Sequence, residues 1–164
     1  MTDTRSDATL ETSGAGYAAL LLRLSLGSLF IAHGLLKVLV FTIPGTIGFF
    51  ESLGYPYATY TAYAVIAAEI GGGVLLIAGV FTRTVALLLV PILVGATLYH
   101  LPNGWQFSSP KGGWEYPALW TVLLFAQALL GAGAFALKVP GIAATEPKAS
   151  TAGGVIGKTL RAAG

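Results

Sequence analysis

Four long stretches of the chain are almost wholly apolar: Tyr17 to Phe41, Tyr57 to Val80, Arg83 to Leu101 and Tyr116 to Leu137. Each reaches the roughly 20 residues that an α-helix needs to cross a hydrocarbon core about 30 Å thick. The breaks between them carry turn chemistry. Pro44-Gly45 follows the first stretch, Thr82-Arg83 leaves almost no loop between the second and third, Pro102-Asn103-Gly104 closes the third, and Pro140-Gly141 follows the fourth. The pattern predicts an all-α protein, an integral membrane four-helix bundle with antiparallel neighbouring helices. The loop between the first and second stretches, Gly48 to Pro56, is apolar enough for a short interfacial helix or a lid.

Composition agrees. Of 164 residues, 55% are hydrophobic and 10% charged, where a soluble domain carries about 25% charged residues. Mean hydropathy is +0.77. A net charge of +2 is too small and too scattered for a nucleic-acid footprint. There is no cysteine, and the single methionine is Met1, which removes disulfides, thiol redox chemistry, Cys-held iron–sulfur clusters and Met axial ligation from this chain. Redox work would need a bound cofactor or a partner subunit. Residues 1–16 lack the basic start and cleavage pattern of a secretory signal and are expected to be a disordered cytoplasmic tail. Residues 139–164, rich in Ala, Gly, Thr and Pro, are expected to be a second flexible tail, leaving 17–138 as the membrane domain.

Basic residues set the expected orientation. Arg5, Arg83, Lys138, Lys148, Lys158 and Arg161 fall on one side of a four-span arrangement, and Lys37 and Lys111 on the other. The positive-inside rule makes the richer side, with both termini, cytoplasmic. Tyr55, Tyr57, Tyr60, Tyr63, Trp105, Trp114, Tyr116 and Trp120 then crowd the outer edge as an interfacial aromatic belt.

An ionisable side chain at the centre of a span costs about 2.5–3.5 kcal/mol or more, so it turns inward, finds a partner and often marks function. Arg23, His33, Lys37, Glu69 and His100 are such groups. On the first helix Arg23, Gly27, Phe30, Gly34 and Lys37 share one face, with His33 on its flank. On the second, Glu69 precedes Gly72 and Gly73 by three and four residues, beside a flat surface that lets another backbone approach. Glu69 could pair with Arg23, pinning helix one to helix two, or join His33 in a proton path or ligand pocket. His33 and His100 raise a bis-His haem, but their depths differ by several residues, so haem is disfavoured and no metal-ligand set is expected. Gln127 is expected to hold helices together. Near the mouth, Gly112-Gly113 frees the backbone to present Trp114 and Glu115, although Glu115 also suits the N-terminus of helix four.

In their order and spacing, Arg23 to Gly27, His33 to Lys37, Glu69 to Gly73, Gly79 to Arg83, His100 to Gly104 and Gly112 to Pro117 resemble the DoxX family of small bacterial and archaeal membrane proteins, over about Leu20 to Leu137. Many members end helix four with Gly-x-Gly-x-x-Ser-x-Asp. Here Gly131 and Gly133 fit, but Ala136 and Lys138 replace the Ser and Asp. The resemblance implies a multi-pass protein of a bacterial or archaeal cell membrane, surrounded by the lipid bilayer. It also implies an oxidoreductase-associated role, since the family takes its name from subunits linked to quinone-dependent oxidation of sulfur compounds. On that basis His33, Glu69 and His100 are the candidate catalytic residues. Arg23, Lys37, Trp114 and Glu115 are the candidate cofactor-binding ones, with a quinone as the cofactor, a partner oxidoreductase subunit, and a pocket among helices one to three that opens outward. A small proton-coupled transporter using Glu69, and a structural anchor for a partner enzyme, remain open alternatives.

Overall fold

The computed structural model describes residues 14–137. They form five α-helices: α1 (Gly14–Leu39), α2 (Ile43–Ser52), α3 (Ala58–Ala78), α4 (Thr82–His100) and α5 (Glu115–Leu130), with a 3-10 turn at Leu101–Asn103. There is no strand among the described residues. Helix α1 starts at Gly14, so the last three residues assigned to the first tail are helical. The rest of both expected tails, and Lys138, lie outside the described residues.

Local chemistry explains the boundaries. The chain leaves α1 at Val40 and Phe41, whose N–H groups both donate to Leu36 O at 3.0 Å. Thr42 then caps α2, its Oγ1 accepting from Gly45 N at 3.3 Å, with Pro44 in the first turn where no N–H is needed. This short helix takes in Gly48 to Ser52 of the loop where a short interfacial helix or a lid is expected, and begins five residues earlier, at Ile43. Helix α3 ends at Gly79, which takes φ 74°, while Gly79 N donates to Leu76 O and Val80 N to Leu75 O. That left-handed stop reverses the chain into α4 within three residues. Pro91 lies inside α4, where it removes one backbone hydrogen bond.

Helices α1, α3 and α4 with its 3-10 extension are long and apolar enough to cross a membrane. Helix α5 is apolar but has 16 residues, about 24 Å at 1.5 Å per residue. The expected run to Leu137 stops at Leu130 because Gly131 and Gly133 adopt φ 79° and 69°. The chain then folds back across the bundle end, with Ala134 N donating to Gly16 O and Leu137 N to Ala78 O, both at 3.0 Å.

Helix α1 packs most extensively on α3, and α4 on α5. At the first seam the backbones nearly touch: a Cβ added at Gly27 would sit 2.6 Å from Gly73 O, and one at Gly73 2.7 Å from Gly27 O. Only glycine fits on either side. Leu26, Phe30, Leu76, Leu89, Leu93, Trp120 and Leu124 form the buried core. The outward faces are as apolar as the core, with Leu88 70% and Leu129 79% exposed. A surface of that kind suits hydrocarbon rather than water.

Candidate functional site

The polar groups inside the bundle separate into two clusters joined by α1. Arg23 belongs to the first, at the end closed by residues 131–137, and is 1% exposed. Its guanidinium donates to Leu76 O at 3.3 Å, to Ile77 O and, through Nη2, to Ala134 O at 2.8 Å. It therefore gathers two carbonyls of the last turn of α3, where the helix dipole favours a cation, and ties the returning segment to them.

The Arg23–Glu69 pair anticipated from the sequence does not form. Glu69 is 4% exposed, and its Oε1 accepts from Lys37 Nζ at 2.8 Å. Arg23 lies level with Leu76 and Ile77, seven to eight residues beyond Glu69, which is about 10–12 Å of helix. Lys37 turns inward, on the face it shares with Gly34, where an added Cβ would lie 2.5 Å from Ile70 Cγ1 and 3.3 Å from Glu69 Cβ. The glycine lets Ile70 and the backbone of α3 approach α1 next to the pair. Thr46 Oγ1 donates to Lys37 O at 3.0 Å, fastening α2 to the end of α1 next to the pair.

His33 lies one turn before Lys37, half-buried. Its ring meets Trp120 of α5 at 5.1 Å, and Phe30 meets the same indole at 4.7 Å. Trp120, which the sequence pattern places in the interfacial aromatic belt, is 4% exposed and belongs to the core instead. A helical-period signal was present: Pro117, Trp120, Leu124, Gln127 and Ala128 are the buried face of α5. Tyr57, Tyr60, Tyr63 and Trp105 are exposed as a belt requires. Phe30 is on the inward face that the spacing marks, whereas nothing in the sequence pattern places Thr46 or Trp120 at the site.

His100, Trp114 and Glu115 have other partners, in and beside the loop between α4 and α5. His100 Nδ1 is hydrogen-bonded to Gly112 O at 3.1 Å, Asn103 Nδ2 donates to Lys111 O at 3.1 Å, and Glu115 Oε1 accepts from Phe107 N at 2.8 Å. Trp114 packs edge-on against Trp105 at 4.9 Å, and its backbone N–H donates to Gly104 O at 3.2 Å. Gly113 is required because a side chain there would strike the carbonyl groups of Trp105 and Gln106. These contacts fold the loop on itself. Among the described residues no hydrogen bond, ion pair or ring contact joins His33 to His100, or Lys37 to Glu115. Gln127 donates to Gly131 O at 2.7 Å and so caps its own helix instead of bridging to another. A shallow apolar groove between α4 and α5, lined by Val94, Thr97, Leu98, Ala118 and Thr121, contains none of the candidate residues. No group of three or more His, Asp or Glu able to hold a metal ion is found among the described residues.

Taken together, the long apolar helices with lipid-compatible faces and a buried ion pair between two of them define a multi-pass helical membrane protein. The sequence profile of the DoxX family matches residues 18–101, from α1 to the end of α4. The chain belongs to the DoxX family. Over 79 residues it is 43% identical to the Bacillus subtilis (strain 168) protein named "Putative oxidoreductase CatD", a stretch covering 48% of this chain and 56% of that relative. No solved structure matches the chain.

Proposed function

We propose that the chain is the membrane subunit of a quinone-linked oxidoreductase, working with a partner oxidoreductase subunit. The carrying observation is the buried Lys37–Glu69 pair beside the His33–Trp120 contact, a concentration of polar chemistry in an otherwise apolar bundle. Family membership and the name of the relative agree with a membrane oxidoreductase-associated role. In this proposal His33 and Glu69 handle protons at the ligand and Lys37 holds the carboxylate in place. His100, Trp114 and Glu115 shape the loop over an outward-facing mouth, while Arg23 organises the opposite end. A quinone, when bound, supplies the two-electron chemistry; the chain's own residues position it and exclude water.

The same proposal has α1, α3, α4 and α5 crossing the membrane of a bacterial or archaeal cell as four antiparallel passes, both termini cytoplasmic. In support, Gly27 meets Gly73 and Ile77 whereas Gly34 meets Glu69 and Ile70, so an advance along α1 accompanies a retreat along α3.

Purification in mild detergent followed by mass spectrometry of the lipid extract tests the function. A quinone retained by the wild-type protein and lost from a Glu69→Gln variant is expected. Equal retention by both would separate the quinone from this site. Proton-coupled uptake into liposomes that Glu69→Gln abolishes would establish the transporter alternative, which the buried acid also suits.

A further inference from the structure

Helix α2 hangs between two joints. Gly54 takes φ 79° just past its far end, and Thr42 takes φ 64° and ψ 159° at its near end. That second conformation belongs almost to glycine alone, and a β-branched residue held in it is strained. The capping bond from Gly45 N to Thr42 Oγ1 does not demand it, because a capping residue ordinarily has extended, negative-φ backbone. Something beyond the local turn therefore holds α2 where it lies. Two contacts tie it to the long helices. Thr46, 4% exposed, donates its hydroxyl to Lys37 O at 3.0 Å, and the Phe49 ring meets Tyr99 of α4 edge-on at 5.0 Å. The rest of its seat is on α3. Gly34 of α1 lies against Glu69 and Ile70 of α3, so α1, ending five residues later at Leu39, runs out about level with the turn of α3 that follows Ala62. Ala58 and Ala62 are nevertheless 5% and 0% exposed. Ala62 lies seven residues, about 10 Å, from Glu69. On the other side of the Lys37–Glu69 pair the interior is closed, with Leu26, Phe30 and Leu76 at 1%, 0% and 0% exposure and Gly27 against Gly73.

We infer that α2 is a strained lid, hinged at Thr42 and Gly54, whose lifting opens the way to the Lys37–Glu69 pair from the end of the bundle that α2 covers. Thr46 and the Phe49–Tyr99 contact are its latch. Thr42 is the spring, loaded when the lid closes and relaxed when it lifts. The inference goes beyond the quinone reading and does not need it, since a proton bound for Glu69 and a ligand bound for the pair would take the same route.

The native chain has no cysteine, so Ala62→Cys places a single thiol under the lid. Its rate of reaction with a water-soluble maleimide, in the detergent-solubilised protein, reads the open fraction. Removing the latch hydroxyl with Thr46→Val should raise that rate roughly fivefold, the effect of one net hydrogen bond, and Tyr99→Leu should raise it as well. Thr42→Gly should lower it by roughly threefold or more, because glycine takes the closed conformation without strain. Ala134→Cys, buried at the opposite end of the bundle with Ala134 at 2% exposure, is the control and should react at one rate in all these backgrounds. Rates at position 62 that Thr46→Val and Tyr99→Leu leave unchanged overturn the latch. A rate that Thr42→Gly raises or leaves unchanged overturns the strained hinge, and parallel changes at positions 62 and 134 show general loosening and overturn the lid itself. If Ala62→Cys does not fold, Ala58→Cys, one turn nearer the start of α3, reads the same opening.

Discussion

Lys37→Met removes the cation from the buried pair while keeping the length of the apolar stem, and Glu69→Gln removes the anion at constant shape. The structure makes the two unequal. Glu69 has 5% of its side chain exposed and Lys37 20%, and Lys37 stands two residues before the end of α1. Losing Glu69 leaves an ammonium group on a flexible stem that can swing toward the interface, for about 1–2 kcal/mol. Losing Lys37 leaves a carboxylate that cannot escape, and breaking a buried pair from that side costs about 3–5 kcal/mol. At about 2–4 °C per kcal/mol for a chain of this size, Lys37→Met should lower the unfolding midpoint by on the order of 10 °C, and Glu69→Gln by clearly less. The double variant should recover part of the loss, with a coupling of about 1–3 kcal/mol. Thermal unfolding in detergent, followed by near-ultraviolet circular dichroism, reads all three. A control comes from Arg23: it lies about two helical turns away, so Arg23→Gln and Glu69→Gln should add to within about 0.5 kcal/mol. Equal losses from Lys37→Met and Glu69→Gln, strict additivity of that pair, or coupling between Arg23 and Glu69 would each refute the argument.

Two further outcomes follow from the opposite end and from the loops. Arg23→Met should release residues 131–137 from α3, so a cysteine placed at Ala134, which is 2% exposed in the native protein, should react with a thiol reagent on the order of tenfold faster in the Arg23→Met background; an unchanged rate would show that the backbone bonds to Gly16 and Ala78 hold the segment unaided. For orientation, the native chain has no cysteine, so Asn103→Cys should react with a membrane-impermeant reagent on intact cells and Ala149→Cys only after lysis, the reverse pattern overturning the cytoplasmic termini.

Lengths and boundaries of the helices were legible along the chain because in hydrocarbon each segment must satisfy its own backbone; an apolar run with a Gly or Pro stop is then nearly a complete description of a helix. The interior face of α1 and the glycine surface after Glu69 followed from periodicity and local chemistry alone. Helix α5 is the exception, shortened by Gly131 and Gly133, whose positive φ has no counterpart in an apolar count.

Partnership within the interior belonged to the tertiary structure. Periodicity says which face of a helix points inward but not how far two helices are shifted along each other, and that axial register decides whether Glu69 meets Arg23 or Lys37. The close contact of Gly27 with Gly73 sets it, placing Lys37 at Glu69 and Arg23 at the carbonyls ending α3. By the same means Trp120, one more aromatic near an edge in the sequence, becomes the wall against which His33 rests. His100, Trp114 and Glu115, neighbours of the mouth by sequence, are occupied by the loop they fold.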